Sequence, residues 1–121
     1  MSRYRLPRNL YRKTIYTIKD YDRLKARREE ILSASPPPPD GQPKGGQAGD
    51  IVFRKAVRLA DIDQQIKAIE EALERVPEEY RKGVWDHIQS RTPFPVDASM
   101  NTYKTWKQRF IYWVAVRMDW Y

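Results

Sequence analysis

The sequence predicts an all-α fold, on three observations. Leu59, Ile62, Ile66, Ile69, Leu73 and Val76 recur at alternating three- and four-residue steps, the spacing that holds side chains on one helical face. Tyr11, Ile15, Ile18, Tyr21, Leu24, Ile31 and Leu32 keep a looser version of the same rhythm. The one stretch whose aromatic and β-branched residues would suit a strand, Phe110 to Val116, has no evident partner strand, and the helical pattern before it runs straight into it.

Each element follows from its residues. Residues 1–8 form a basic arm stopped by Pro7, and Asn9 can cap a helix that runs to about Leu32. Its outer face carries Arg12, Lys13, Lys19, Arg23 and Arg27, which read either as a solvated face or as non-specific phosphate contacts. Residues 34–50 are a linker, with four consecutive prolines (Pro36 to Pro39) and then Gly41, Gly45 and Gly46. Such a composition favours extended or irregular chain. A second helix starts at the N-cap Asp50 and ends near Val76. Its heptad seam is short for a free coiled coil. It pairs with the first helix as an antiparallel hairpin over 9–76, or with a second copy of itself. Asp61, Asp63, Glu70, Glu71 and Glu74 fall on its solvent side.

Pro77, Glu78 and Glu79 open a third helix, with Tyr80, Val84, Trp85 and Ile88 inward. Gly83 is a weak point in it, by about 1 kcal/mol against alanine. Pro93 and Pro95 break the chain. Phe94 and Val96 should tuck into the core there. Asp97, Ser99 or Asn101 then caps a last helix reaching Met118. At about 100° per residue, Tyr103, Trp106, Phe110, Trp113 and Val114 share one side of it, while Asn101, Lys104, Thr105 and Gln108 share the other. The half from Phe110 to Val116 is apolar nearly all round, which requires cover on most sides.

Composition narrows the chemistry. At 121 residues the chain is one domain, or a small domain with an extension. It has no cysteine and a single histidine, His87, which leaves no disulfide, thiolate metal site or histidine-based catalytic group. There is no nucleophile–base pair, no glycine-rich phosphate loop and no metal cluster in the pattern. Neither catalysis nor a cofactor is expected. The longest apolar run is far short of the roughly 20 residues of a membrane span, and the basic start lacks a following apolar stretch. A cytoplasmic protein with no membrane partner is expected. The net charge is +7. Residues 1–30 hold ten basic and four acidic groups, and residues 81–121 hold seven and three. Both ends thus suit phosphate.

Three segments taken in order carry a resemblance. These are Asp50-Ile-Val-Phe-Arg-Lys-Ala-Val-Arg-Leu-Ala after the Pro/Gly-rich linker, Ile66-Lys-Ala-Ile-Glu-Glu-Ala-Leu-Glu-Arg-Val-Pro-Glu-Glu-Tyr-Arg, and the aromatic-basic Thr102-Tyr-Lys-Thr-Trp-Lys-Gln-Arg-Phe. Together they resemble phage transcriptional activators of the RinA type, over roughly residues 20–118. The resemblance implies a regulator of phage or prophage genes in the bacterial cytoplasm. It would carry a helix-turn-helix like region four of sigma factors within residues 77–121, with Asn101 to Arg109 as the recognition helix. Only 94–99, interrupted by Pro95, lies where the motif's first helix is expected. Either the helix from Tyr80 to Ser90 takes that part, or the motif has degenerated.

The candidate DNA-binding residues are therefore Asn101, Thr102, Lys104, Thr105, Lys107, Gln108 and Arg109. Asn101 and Gln108 can pair with adenine, and Lys104 or Arg109 with guanine. Arg3, Arg5, Arg8 and Arg91 are phosphate candidates. Expected partners are double-stranded DNA, RNA polymerase in the case of an activator, and further copies of the chain in a homodimer or higher homo-oligomer, with Ile111 and Tyr112 as the contact. The competing expectation is a phage assembly or packaging subunit, similar to a small terminase, that oligomerises through the hairpin.

Overall fold

The computed structural model describes residues 3–33 and 47–121, and among them every regular element is a helix. These are α1 (Arg8–Lys19), α2 (Tyr21–Ser33), α3 (Gln47–Glu74), α4 (Glu78–Ser90) and α5 (Met100–Arg117). Most of the linker lies outside the described residues. α3 begins at Gln47, so Asp50 sits within its first turn rather than capping it.

The expected first helix is two helices. The break falls at Asp20, whose N–H donates to the carbonyls of Tyr16 and Thr17. Its cause lies in the apolar spacing. Ile18 and Leu24 are six residues apart, so a straight helix would aim them about 120° away from each other. The break lets both be buried. Beyond it, α2 runs back along α3. Arg28 pairs with Asp63, and the Tyr21 hydroxyl donates to Glu70 at 3.0 Å. The register brings Ser33 level with about Arg58, so the start of α3 extends past α2.

The α3 seam is buried as its spacing demands. Ile62, Ile66, Ile69 and Val76 are enclosed, and Leu59 and Leu73 pack against them. Ala68 and Ala72 are buried too. The seam is consumed within the chain and is not open to a second copy. The carboxylates expected in solvent are in part engaged: Asp63 holds Arg28, Glu71 holds Arg117, and Glu70 accepts from Tyr21.

α5 is the centre of the fold, with α1, α3 and α4 all packed on it. Phe110, Ile111, Val114 and Ala115 are fully buried, which accounts for a helix half with almost no polar side. One consequence is a correction. Ile111 is 0% exposed, and Tyr112 is partly buried with its ring edge-on to Tyr4 and close to Tyr121. Neither faces outward as a contact for a second copy, because α1 and the N-terminal arm occupy that side.

The connection 91–99 is held by stacked rings. His87 stacks on Phe94 at 4.0 Å and Phe94 on Tyr103 at 5.3 Å, while Tyr80 lies against both Tyr103 and Trp106. Gly83 allows this arrangement. A Cβ there would lie 2.6 Å from Tyr103 Cε1 and 2.8 Å from Pro95 Cδ. Phe94 packs against the core as expected, but Val96 is 101% exposed. Pro95 lies with its ring edge against Gly83 while itself staying exposed, and the next residue projects out.

Candidate nucleic-acid interface

The site is built on the first half of α5. Of its three possible caps, Ser99 serves: its Oγ accepts from the Thr102 N–H at 3.1 Å. The Thr102 hydroxyl lies 2.8 Å from the same Oγ, so Thr102 belongs to the cap. The Thr105 hydroxyl donates to the Asn101 carbonyl at 2.8 Å, a bond that keeps it on the helix. Asn101, Lys104 and Thr105 are exposed, and Gln108 is half-exposed one turn on. Among the described residues, the side chains of Asn101, Lys104 and Gln108 have no protein hydrogen-bond partner. They form a polar strip along the helix.

The two remaining cations of this half leave the strip on opposite sides. Arg109 turns toward the N-terminal arm. Its guanidinium lies 4.8 Å from the Tyr4 ring and 5.0 Å from the Trp106 ring, and its Nε is buried without a hydrogen-bond partner. This is a packed position, anchored by cation–π attraction. Lys107 turns toward α1 and α4 and is half-buried. Burial lowers its pKa, and the neighbouring charge of Lys104 lowers it further.

The phosphate candidates divide in the same way. Arg91 lines a cleft together with Lys107. It occupies the C-cap of α4 with φ 55°, in the left-handed region, and its N–H donates to the His87 carbonyl. Arg8 opens α1 and is exposed. Arg3 and Arg5 are exposed on the arm at the Arg109 side, Arg3 lying over Tyr4. The polar strip is thus flanked by cations on both sides, as a helix in a groove walled by two phosphate chains requires.

Reading the sequence missed the anchoring role of Tyr4, which packs edge-on to Tyr112 and Trp113. No pattern marks it, because it lies outside any helix. It also named Arg12 and Lys19 only within a basic face, solvated or in non-specific contact with phosphate, and did not join them to Arg91 and Lys107. The spacing of Arg12 and Lys19 with Arg8 and Tyr16, at steps of three and four, was the available signal.

Among the described residues no helix is long and apolar enough to cross a membrane. Compared with known protein families, curated proteins and solved structures, the chain has no match.

Proposed function

We propose that this chain is a sequence-specific DNA-binding regulator of transcription, with α5 as the helix that enters the major groove. The observation that carries the reading is the strip of exposed Asn101 and Lys104 and half-exposed Gln108, without hydrogen-bond partners among the described residues and flanked by cations on both sides. On this reading α2 and α3 are the hairpin, and α4 is the supporting helix of a helix-turn-helix-like pair. The residues 91–99 between α4 and α5 are longer than the usual three- or four-residue turn. The resemblance to RinA-type activators adds the narrower part of the proposal: that the regulated genes are those of a phage or prophage, and that RNA polymerase is a further partner.

The test is selection of preferred duplexes from a random pool. The wild type should enrich a defined site. The double variant Lys104→Ala/Gln108→Ala should lose that preference while still binding DNA, since each good bidentate base contact is worth about 1–3 kcal/mol of discrimination. A wild type that enriches nothing contradicts the proposal.

A packaging or assembly subunit is the second reading, and one observation favours it. The start of α3 extends past α2 with Ile51, Val52, Phe53 and Val57 all more than half exposed, Phe53 at 68%. Exposed apolar residues on one helix segment suit assembly. A ring of eight or more copies in solution would support that reading, and a dimer would support regulation.

A further inference from the structure

The cleft beside Lys107 has a composition that the reading strip alone does not explain. It lies between α1, α4 and α5 and has a volume of about 410 Å³. Arg12 and Lys19 enter from α1, Arg91 from the end of α4 and Lys107 from α5. No carboxylate lines it. The nearest carboxylates on these helices are engaged elsewhere or turned away: Asp20 holds Arg23 at 2.8 Å, and Asp86 lines a separate cavity beside Gly83. Among the described residues, none of the four cations is in an ion pair.

A fold gains nothing by gathering four uncompensated cations, and here two of them are held against some resistance. Lys107 is half-buried next to Lys104, both of which disfavour its charge. Arg91 adopts a left-handed conformation that glycine or asparagine would take more readily. The Gln89 amide donates to the Ile18 carbonyl at 2.7 Å. That bond ties α4 to α1, the helices that supply two of the cleft's walls. Tyr16, 65% exposed, stands in its wall as a neutral donor.

We propose that this cleft is a phosphate seat, in which Arg12, Lys19, Arg91 and Lys107 close on one phosphate group. The arginine forks supply paired donors, and the lysines supply point charge. The cleft is large for a bare anion and lies within the size range of ligand sites, so the phosphate enters as part of something larger. Lys107 of the cleft lies close enough to Lys104 of the α5 strip for their charges to interact, which makes a DNA phosphodiester the expected source. In that respect the seat rests on the proposed function, whereas the phosphate chemistry does not.

The experiment uses the full chain. Duplex binding is followed by fluorescence anisotropy across a salt series for the wild type, for Arg12→Gln/Lys19→Gln, and for a control of equal charge change, Lys55→Gln/Lys67→Gln on the exposed side of α3. Thermal melts check that each variant is folded. In parallel, inorganic phosphate and deoxyadenosine monophosphate are titrated into the isotope-labelled wild type. The cleft variant should lose about 10- to 100-fold in affinity, with a salt slope smaller by about 1–2, while the control changes little. If the wild type ignores duplex but phosphate or the mononucleotide saturably shifts the cleft residues, the seat stands, its source is a free phosphate compound, and the DNA reading fails. If cleft and control variants bind duplex alike, the seat is overturned while the DNA reading survives. Binding of neither duplex nor phosphate overturns both.

Discussion

Lys107 shows at the scale of one residue how folding and the proposed binding would pull apart. Its ammonium gives up part of its hydration to the cleft and receives no carboxylate in return. Because its pKa is lower in the folded chain than in the unfolded one, the unfolded state holds more protons between the two values. Stability therefore rises with pH through that window, and at neutral pH the charge is a cost. Lys107→Met should raise the melting temperature slightly, by the equivalent of about 0.5 kcal/mol, and should weaken duplex binding. A melt and a binding curve on one preparation check this. A variant that loses stability would mean that Lys107 serves the fold. Arg109 is the opposite case. Its sequence position matched that of a base-reading side chain, yet it lies against Tyr4 and Trp106. Helical periodicity places a residue to within a face, but it does not reveal that an arm 105 residues upstream will pack there.

At the scale of the element, the α4–α5 pair depends on how closely α4 meets the connection that follows it. Gly83→Ala should improve the helical propensity of α4, by about 1 kcal/mol. It should still destabilise the protein by about 1–3 kcal/mol net, because the added methyl meets the Tyr103 ring and Pro95. Chemical denaturation measures the sign, and a more stable variant would refute the packing described. The Tyr103 hydroxyl donates to Asp97 at 2.6 Å, and that bond, with burial, raises its pKa to about 12. A pKa raised in the folded state means stability that is whole below pH 10 and lost as pH climbs from 10 toward 12. Tyr21, also raised to about 12 by burial and Glu70, adds to the same slope. Tyr103→Phe should cost about 1 kcal/mol at pH 8 and flatten the alkaline decline, as stability curves at pH 8, 10 and 11 would reveal. An unchanged slope would exclude Tyr103 as its source.

At the scale of the whole molecule, the sequence made some features legible and hid others for definite reasons. The α3 seam, the break at Pro93 and Pro95 and the enclosed half of α5 could all be read, because each is set by local spacing or local chemistry, whereas the cap of α5 was narrowed only to Asp97, Ser99 or Asn101. The break at Asp20 could not be read with the same ease. It involves no proline or glycine and arises only because Ile18 and Leu24 must both reach a shared core. The exposure of Val96 and the burial of Ile111 are set by tertiary packing, the first in a connection whose ring contacts are made by Phe94, the second on a helix covered by α1, α3 and α4. The polar face of α5 was legible from its periodicity. The cleft beside it was not, since its four cations come from three helices whose assembly no local pattern records.

The central claim is that the strip on α5 touches bases. The side-chain amides of Asn101 and Gln108 and the Lys104 ammonium are its direct reporters, and nuclear magnetic resonance can follow all three while a selected duplex is added. The account predicts large shifts confined to these groups and to the flanking cations, with the α3 seam unmoved. Shifts spread over α3, or none on α5, would contradict it.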